Sequence, residues 1–171
     1  MPDSEVVGKN ADDYGECFAK DLLEQYKLIR VTITDAVNDR NTNNRFLIGI
    51  CTALFGAEGF LLQTSLDGNL DKYPLALLSL MLFIVPILGI YISHLWVKWN
   101  NSYAIALRVR YRLLKGMEMH LPSQPFTREH VIRTEDGYTP VSDIIIRMAK
   151  FFMFAFIIML VLSLIRLFFN N

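Results

Sequence analysis

Between Phe46 and Leu66 runs the stretch FLIGICTALFGAEGFLLQTSL, apolar apart from short polar side chains and one charge, Glu58, near its centre. About 20 mostly apolar residues are what a helix needs to cross the hydrocarbon of a bilayer. At that depth only helices and closed barrels satisfy their own backbone polar groups, so the stretch commits the chain to a membrane helix. The acid constrains packing as well. A carboxylate at the centre of a span costs roughly 2.5 to 3.5 kcal/mol, against about 0.3 to 0.6 kcal/mol gained from each Leu, Ile or Phe. With ten such apolar residues, and with Gly49, Gly56 and Gly59 adding cost, the span is marginal by itself. It is expected to insert as a hairpin with the next apolar run and to keep Glu58 away from lipid.

That next run, 74–97, opens on Pro74, a residue that suits a first helical turn because its missing N–H had no partner there anyway. Pro86 in its middle is expected to kink it, and Tyr91, Trp96 and Trp99 mark an interfacial belt. A third run, 150–169, completes the set. Residues 67–73, with Asp67-Gly68-Asn69, read as a tight turn outside the membrane. Lys27, Arg30, Arg40 and Arg45 precede the first span. Nine basic residues lie between the second span and Phe151: Lys98, Arg108, Arg110, Arg112, Lys115, Arg128, Arg133, Arg147 and Lys150. The turn holds only Lys72. Basic segments stay on the cytoplasmic side, so the N-terminus is expected inside and the C-terminus outside.

The polar segments have their own pattern. Residues 1–12 read as a mobile tail. Across 13–45, Phe18, Leu22, Tyr26, Ile29, Ile33 and Val37 recur at three- and four-residue spacing, giving an amphipathic helix. Asn38 to Asn44 is expected to be a polar hinge or a last solvated turn before the membrane. Region 98–149 begins as a second amphipathic helix, stops at Leu121-Pro122, continues as a folded loop or short helix, and restarts at Thr139-Pro140. No apolar run stands behind a basic start in the first 40 residues, so no cleaved signal peptide is expected. The fold class is an all-α membrane protein: three transmembrane helices with cytoplasmic amphipathic helices, assembling as a homo-oligomer.

Helical geometry supplies the candidate sites. At 100° per residue, Gly49, Ala53, Gly56 and Ala57 share one face of the first span, a seam that lets another helix approach closely. Glu58 points the other way, alongside Cys51 and Leu62. Both faces want protein contact, and three spans cannot easily surround one helix; this points to oligomerisation. Glu58 lies about 18 Å along its span and Arg166 about 24 Å along the third, so a Glu58–Arg166 contact within or between chains is expected. The alternatives are a neutral hydrogen-bonded Glu58 or a pore-lining acid. Arg108, Arg110, Arg112 and Lys115 can attract anionic lipid head groups or simply set topology. The two cysteines and His94, His120 and His130 show no ligand spacing, so neither metal nor cofactor is expected. No nucleophile triad, phosphate loop or paired-carboxylate arrangement stands out, and zero net charge implies no general nucleic-acid affinity.

From about residue 20 onward the chain resembles the RipA-type octameric inner-membrane proteins of bacteria, a family named for a factor required for intracellular proliferation. The carrying features are the helix running through Asn41-Thr42-Asn43-Asn44 into Phe46-Leu47-Ile48-Gly49-Ile50-Cys51-Thr52-Ala53-Leu54, and the Trp96/Trp99/Tyr103 exit helix. Leu121-Pro122 followed by Pro125-Phe126, and Tyr138-Thr139-Pro140 before the last span, complete them. The resemblance implies a homo-oligomeric, octameric protein of the cytoplasmic membrane with a role in growth inside host cells. It transfers no active-site residue. The layout is more weakly similar to two-helix SLATT-type membrane effectors, from which the third span is a departure. Two functions follow: a non-enzymatic scaffold or adaptor binding lipid or cytoplasmic protein partners, or an ion channel with Glu58 in its path. Polar residues along one face of each span would favour the channel, and in the first span only Thr52 and Glu58 offer much of that.

Overall fold

The computed structural model describes residues 14–66 and 72–169, and among these the regular structure is helical throughout. The helices given by the described residues follow in the order α1, Phe18–Leu66; α2, Lys72–Glu118; α3, Pro125–Glu135; and α4, Val141–Phe169. The expected tail, and Asp67-Gly68-Asn69 of the expected turn, lie outside the described residues.

α1 is one helix of 49 residues. Of the two readings of Asn38–Asn44, a polar hinge or a last solvated turn before the membrane, the hinge is absent: the helix continues through the segment. Asparagine favours turns by bonding its own backbone, but that preference is weak against a continuing hydrogen-bond ladder. No Pro or Gly lies between Phe18 and Ile48 to break the ladder. Asn38 and Asn41 are exposed, and Asn44 is buried with its side chain engaged elsewhere. α2 likewise runs 47 residues without interruption, carrying Pro86 inside it.

The chain divides into two compact units: 14–41 with Ser102–Pro140, and Thr42–Asn101 with 141–169. The first, polar unit packs Leu22, Tyr26 and Ile33 of α1 against Leu107, Leu114 and Met117 of α2, with Phe18, Ile29, Leu121 and Phe126 at the edges. Helix α3 is tied down from its N-terminus. The backbone N–H groups of Phe126 and Thr127, left without intrahelical acceptors, donate to Glu118 Oε1 and Oε2, each at 2.9 Å. At its other end Gly137 adopts φ +67°, and Tyr138 N–H closes on the Arg133 carbonyl at 3.1 Å. That bond across a left-handed glycine is a Schellman ending.

The second, apolar unit contains the three span segments. Its core is Cys51, Trp96, Ala149 and Phe156, flanked by Leu47, Leu54, Ile90 and Phe152. Segment contacts set the directions. Trp96 bonds Asn44 and Cys51 meets Ser93, so α1 and α2 are antiparallel; Glu58 meets Ser163 and Phe55 meets Phe156, so α1 and α4 are parallel. Gly89 of α2 lies against the ring of Phe156, where a Cβ would come within 2.6 Å of its carbons.

Candidate functional site

The apolar unit holds a line of polar side chains where lipid-soluble helices would be expected to pack dry. Asn44, Cys51, Glu58 and Ser65 of α1 are each seven residues from the next, and all four are buried. Seven residues are close to two helical turns, so the four fall on one face. At 1.5 Å per residue the line is about 31 Å long, comparable to the hydrocarbon thickness of a bilayer.

At one end, Asn44 Oδ1 accepts two hydrogen bonds, from Trp96 Nε1 at 2.8 Å and from Asn100 Nδ2 at 2.9 Å. Asn100 Nδ2 also donates to the Trp96 carbonyl at 3.1 Å. Two turns along, Cys51 Sγ and Ser93 Oγ are 3.8 Å apart. The third position is Glu58, which has no accessible surface. Ser163 Oγ lies 3.3 Å from Glu58 Oε1 and 3.0 Å from the Met159 carbonyl of its own helix. The second carboxyl oxygen, Oε2, has no donor among the described residues. Ser65 Oγ turns back to the Leu62 carbonyl at 2.7 Å.

Glu58 therefore shares a buried face with Cys51, while Arg166 takes a different partner from the acid. Its Nη1 donates to the Leu62 carbonyl at 3.4 Å, one turn of α1 beyond Glu58. The two residues are neighbours on one helix pair, with Ser163 as the group in contact with the acid. A hydroxyl at matching depth was the signal: Ser163 stands as many residues past Phe151 as Glu58 stands past Phe46.

The seam of Gly49, Ala53, Gly56 and Ala57 faces away from the chain's own core. All four residues are exposed, and a Cβ on Gly49 or Gly56 would meet nothing within 4 Å. Glycine serves close packing within the chain at Gly89 instead.

In the polar unit the basic cluster is split. Arg108 and Arg112 are exposed, and Lys115 is half-buried. Arg110 reaches across to α1, Nη1 donating to the Thr32 carbonyl at 3.1 Å. The residue that sequence reasoning passed over is Glu118, fully buried beneath α3. Besides the two backbone donors it accepts from Thr127 Oγ1 at 2.8 Å and from the Tyr26 hydroxyl at 3.1 Å. Burial pushes its carboxyl up, but these hydrogen bonds outweigh burial and hold it below the usual carboxylate range. Tyr26 is pushed up to about 12, first by burial and then by the hydrogen bond it gives to Glu118. The signal was a lone acid between Met117 and Met119, followed closely by Pro125 as a helix start.

A groove of about 320 Å³ beside Tyr26 is lined by Leu23, Arg30, Leu121, Pro122, Ser123, Pro125 and Phe126. Its polar lining is the Arg30 guanidinium and the hydroxyls of Tyr26 and Ser123. Among the described residues no three His, Cys, Asp or Glu side chains gather as metal ligands. Among the described residues, three helices are long and apolar enough to cross a membrane.

Residues 23–165 match the family model described as the octameric membrane protein family (8xMP). No curated protein matches the chain. No solved structure matches it.

Proposed function

Since the chain belongs to the octameric membrane protein family, we propose that it acts as a homo-oligomeric, non-enzymatic scaffold or adaptor of the bacterial cytoplasmic membrane. The N-terminus and the polar unit lie in the cytoplasm and the C-terminus in the periplasm, as the distribution of Lys and Arg implies. Through its resemblance to RipA-type proteins the role extends to support of intracellular growth and virulence. The polar units present a platform for cytoplasmic proteins or anionic lipid, and no nucleic acid is involved.

One observation carries this reading. Glu58, a costly acid near the centre of its span, is enclosed by its own chain and hydrogen-bonded to Ser163. A polar group used this way joins helices, as hydroxyl and amide groups commonly do within bilayers. An acid lining a conduction path would instead face water.

A second reading is an ion channel or pore-forming effector. The line Asn44, Cys51, Glu58 and Ser65, roughly one bilayer long, favours it. Purified protein in liposomes separates the two. The scaffold gives no ion flux above empty vesicles. Flux that disappears in Glu58→Gln would replace the scaffold by the channel.

A further inference from the structure

Both long helices of the polar unit carry an apolar stripe on the side turned away from their shared core. On α1, Leu22, Tyr26 and Ile33 face inward. About half a turn round the helix, Leu28 and Val31 are 65% and 54% exposed. Exposed acids flank them on that side: Glu24, Asp35 and Asp39. The basic side chains of this segment, Lys20, Lys27 and Arg30, fall to the other side of Val31.

On α2, Leu107, Leu114 and Met117 face inward. Ile105 and Val109 on the reverse are 60% and 51% exposed. Their neighbours one turn along, Arg108 and Arg112, are exposed cations, and residues 102–117 contain no acid. None of these flanking charges makes an ion pair within the chain among the described residues.

Water does not favour two such stripes on one small unit, and exposed apolar surface rimmed by charge marks an interaction site. The faces differ in sign and lie on opposite sides of the same helix pair. Each complements the other, and neither complements itself. Identical subunits joined through two different faces add head to tail, and when the rotation closes they form a ring.

We infer that the acid-edged stripe of α1, Leu28 and Val31 with Glu24, Asp35 and Asp39, docks on the base-edged stripe of α2 in the next copy of this chain, Ile105 and Val109 with Arg108 and Arg112. The inference rests on the oligomeric reading above and supplies the surfaces. It gives Arg108 and Arg112 a protein partner in place of lipid. Apolar contact holds the interface, while the opposed charges select the orientation and reject pairing of like faces.

Cysteine cross-linking in the full-length protein tests this, with exposed Cys17 changed to Ser. Val31→Cys and Val109→Cys are made singly and together, and membranes are treated with a short bifunctional maleimide. The double variant should give a ladder of linked chains, each single variant none, and the two single variants co-expressed should give dimers. Self-linking of either single variant would mean like faces meet, which overturns the proposal. So would a double variant that stays unlinked while native mass spectrometry still finds the octamer. A protein that is monomeric by mass would instead remove the oligomeric reading itself. In a second arm, Arg108→Glu with Arg112→Glu should break the assembly, and adding Glu24→Arg with Asp35→Arg should restore it. Failure of that rescue, with each variant folded by circular dichroism, would also overturn the proposal.

Discussion

Ser163 stands 3.3 Å from Glu58 and can also donate to its own helix at Met159, so the two residues do not depend on each other equally. Without Glu58, the serine hydroxyl keeps an acceptor. Without Ser163, a fully buried carboxyl has no described donor. A buried polar group left unsatisfied costs about 1–3 kcal/mol, and interhelical hydrogen bonds in membranes average nearer 0.6 kcal/mol. Ser163→Ala should therefore destabilise the purified protein by about 1 kcal/mol. Glu58→Leu should cost less, and the double variant should be more stable than Ser163→Ala alone. Unfolding of all three in the same detergent measures the order, and simple additivity would contradict it.

Glu118 couples the seating of α3 to pH. Its folded-state carboxyl lies below the ordinary 4.5. The contribution is therefore fully present above about pH 4.5 and fades as pH falls through the lower folded value. Hydrogen exchange at Pro125–Glu135, corrected for intrinsic pH dependence, should show protection falling on acidification below pH 4.5. In Glu118→Gln this dependence should vanish, with α3 loosened by about 1–3 kcal/mol at neutral pH. Equal protection in both proteins at pH 7 would count against the anchor.

Two kinds of glycine in the spans should respond in opposite ways. A methyl group on Gly89 meets the Phe156 ring at 2.6 Å. Gly89→Ala should destabilise the chain by about 1–3 kcal/mol, as overpacking does, with partial recovery in a Gly89→Ala, Phe156→Leu double variant. At Gly56 a methyl group meets nothing within the chain. Gly56→Ala should leave helicity unchanged or slightly higher, while Gly56→Leu lowers the octamer fraction by native mass spectrometry if the seam receives a neighbouring chain. An unchanged octamer fraction in Gly56→Leu would remove the seam from the assembly.

Asn44 is the acceptor for both Trp96 and Asn100. Asn44→Leu should strand a buried indole N–H, cost about 1–3 kcal/mol and shift Trp96 fluorescence. Trp96→Phe in the same background should recover part of the loss, since the indole donor is then gone, while Asn100 Nδ2 keeps the backbone carbonyl of residue 96 as an acceptor. Fluorescence and thermal unfolding of the two variants provide the check.

The spans were legible because apolar runs of bilayer length have few other uses. The inward direction of Glu58 was legible because helical rotation ties it to Cys51. The partner of Glu58 was less so. Approximate depth and opposite charge together pointed to Arg166; Ser163 matches the depth of Glu58 more closely, but a hydroxyl gives no signal against an apolar background. Continuity through Asn38–Asn44 was hidden because asparagine is common both in turns and on wet helix faces. Glu118 was hidden because its donors belong to Tyr26, far earlier in the chain, and to a helix beginning only at Pro125. Local periodicity carries no trace of either.

The seven-residue spacing of the buried polar groups also acts as a ruler between helices. Asn44 meets Asn100 while Cys51 meets Ser93, and these partners on α2 are themselves seven residues apart. Sliding α1 by a single turn, about 5.4 Å, takes Asn44 away from Asn100 and Cys51 away from Ser93. Sliding it by a full seven residues sets Asn44 against Ser93 but brings Cys51 to Pro86, which has no backbone N–H to offer. Apolar helices in lipid have little else to fix their axial position. In this chain the Asn44–Asn100 and Cys51–Ser93 contacts are made together in one alignment of α1 on α2.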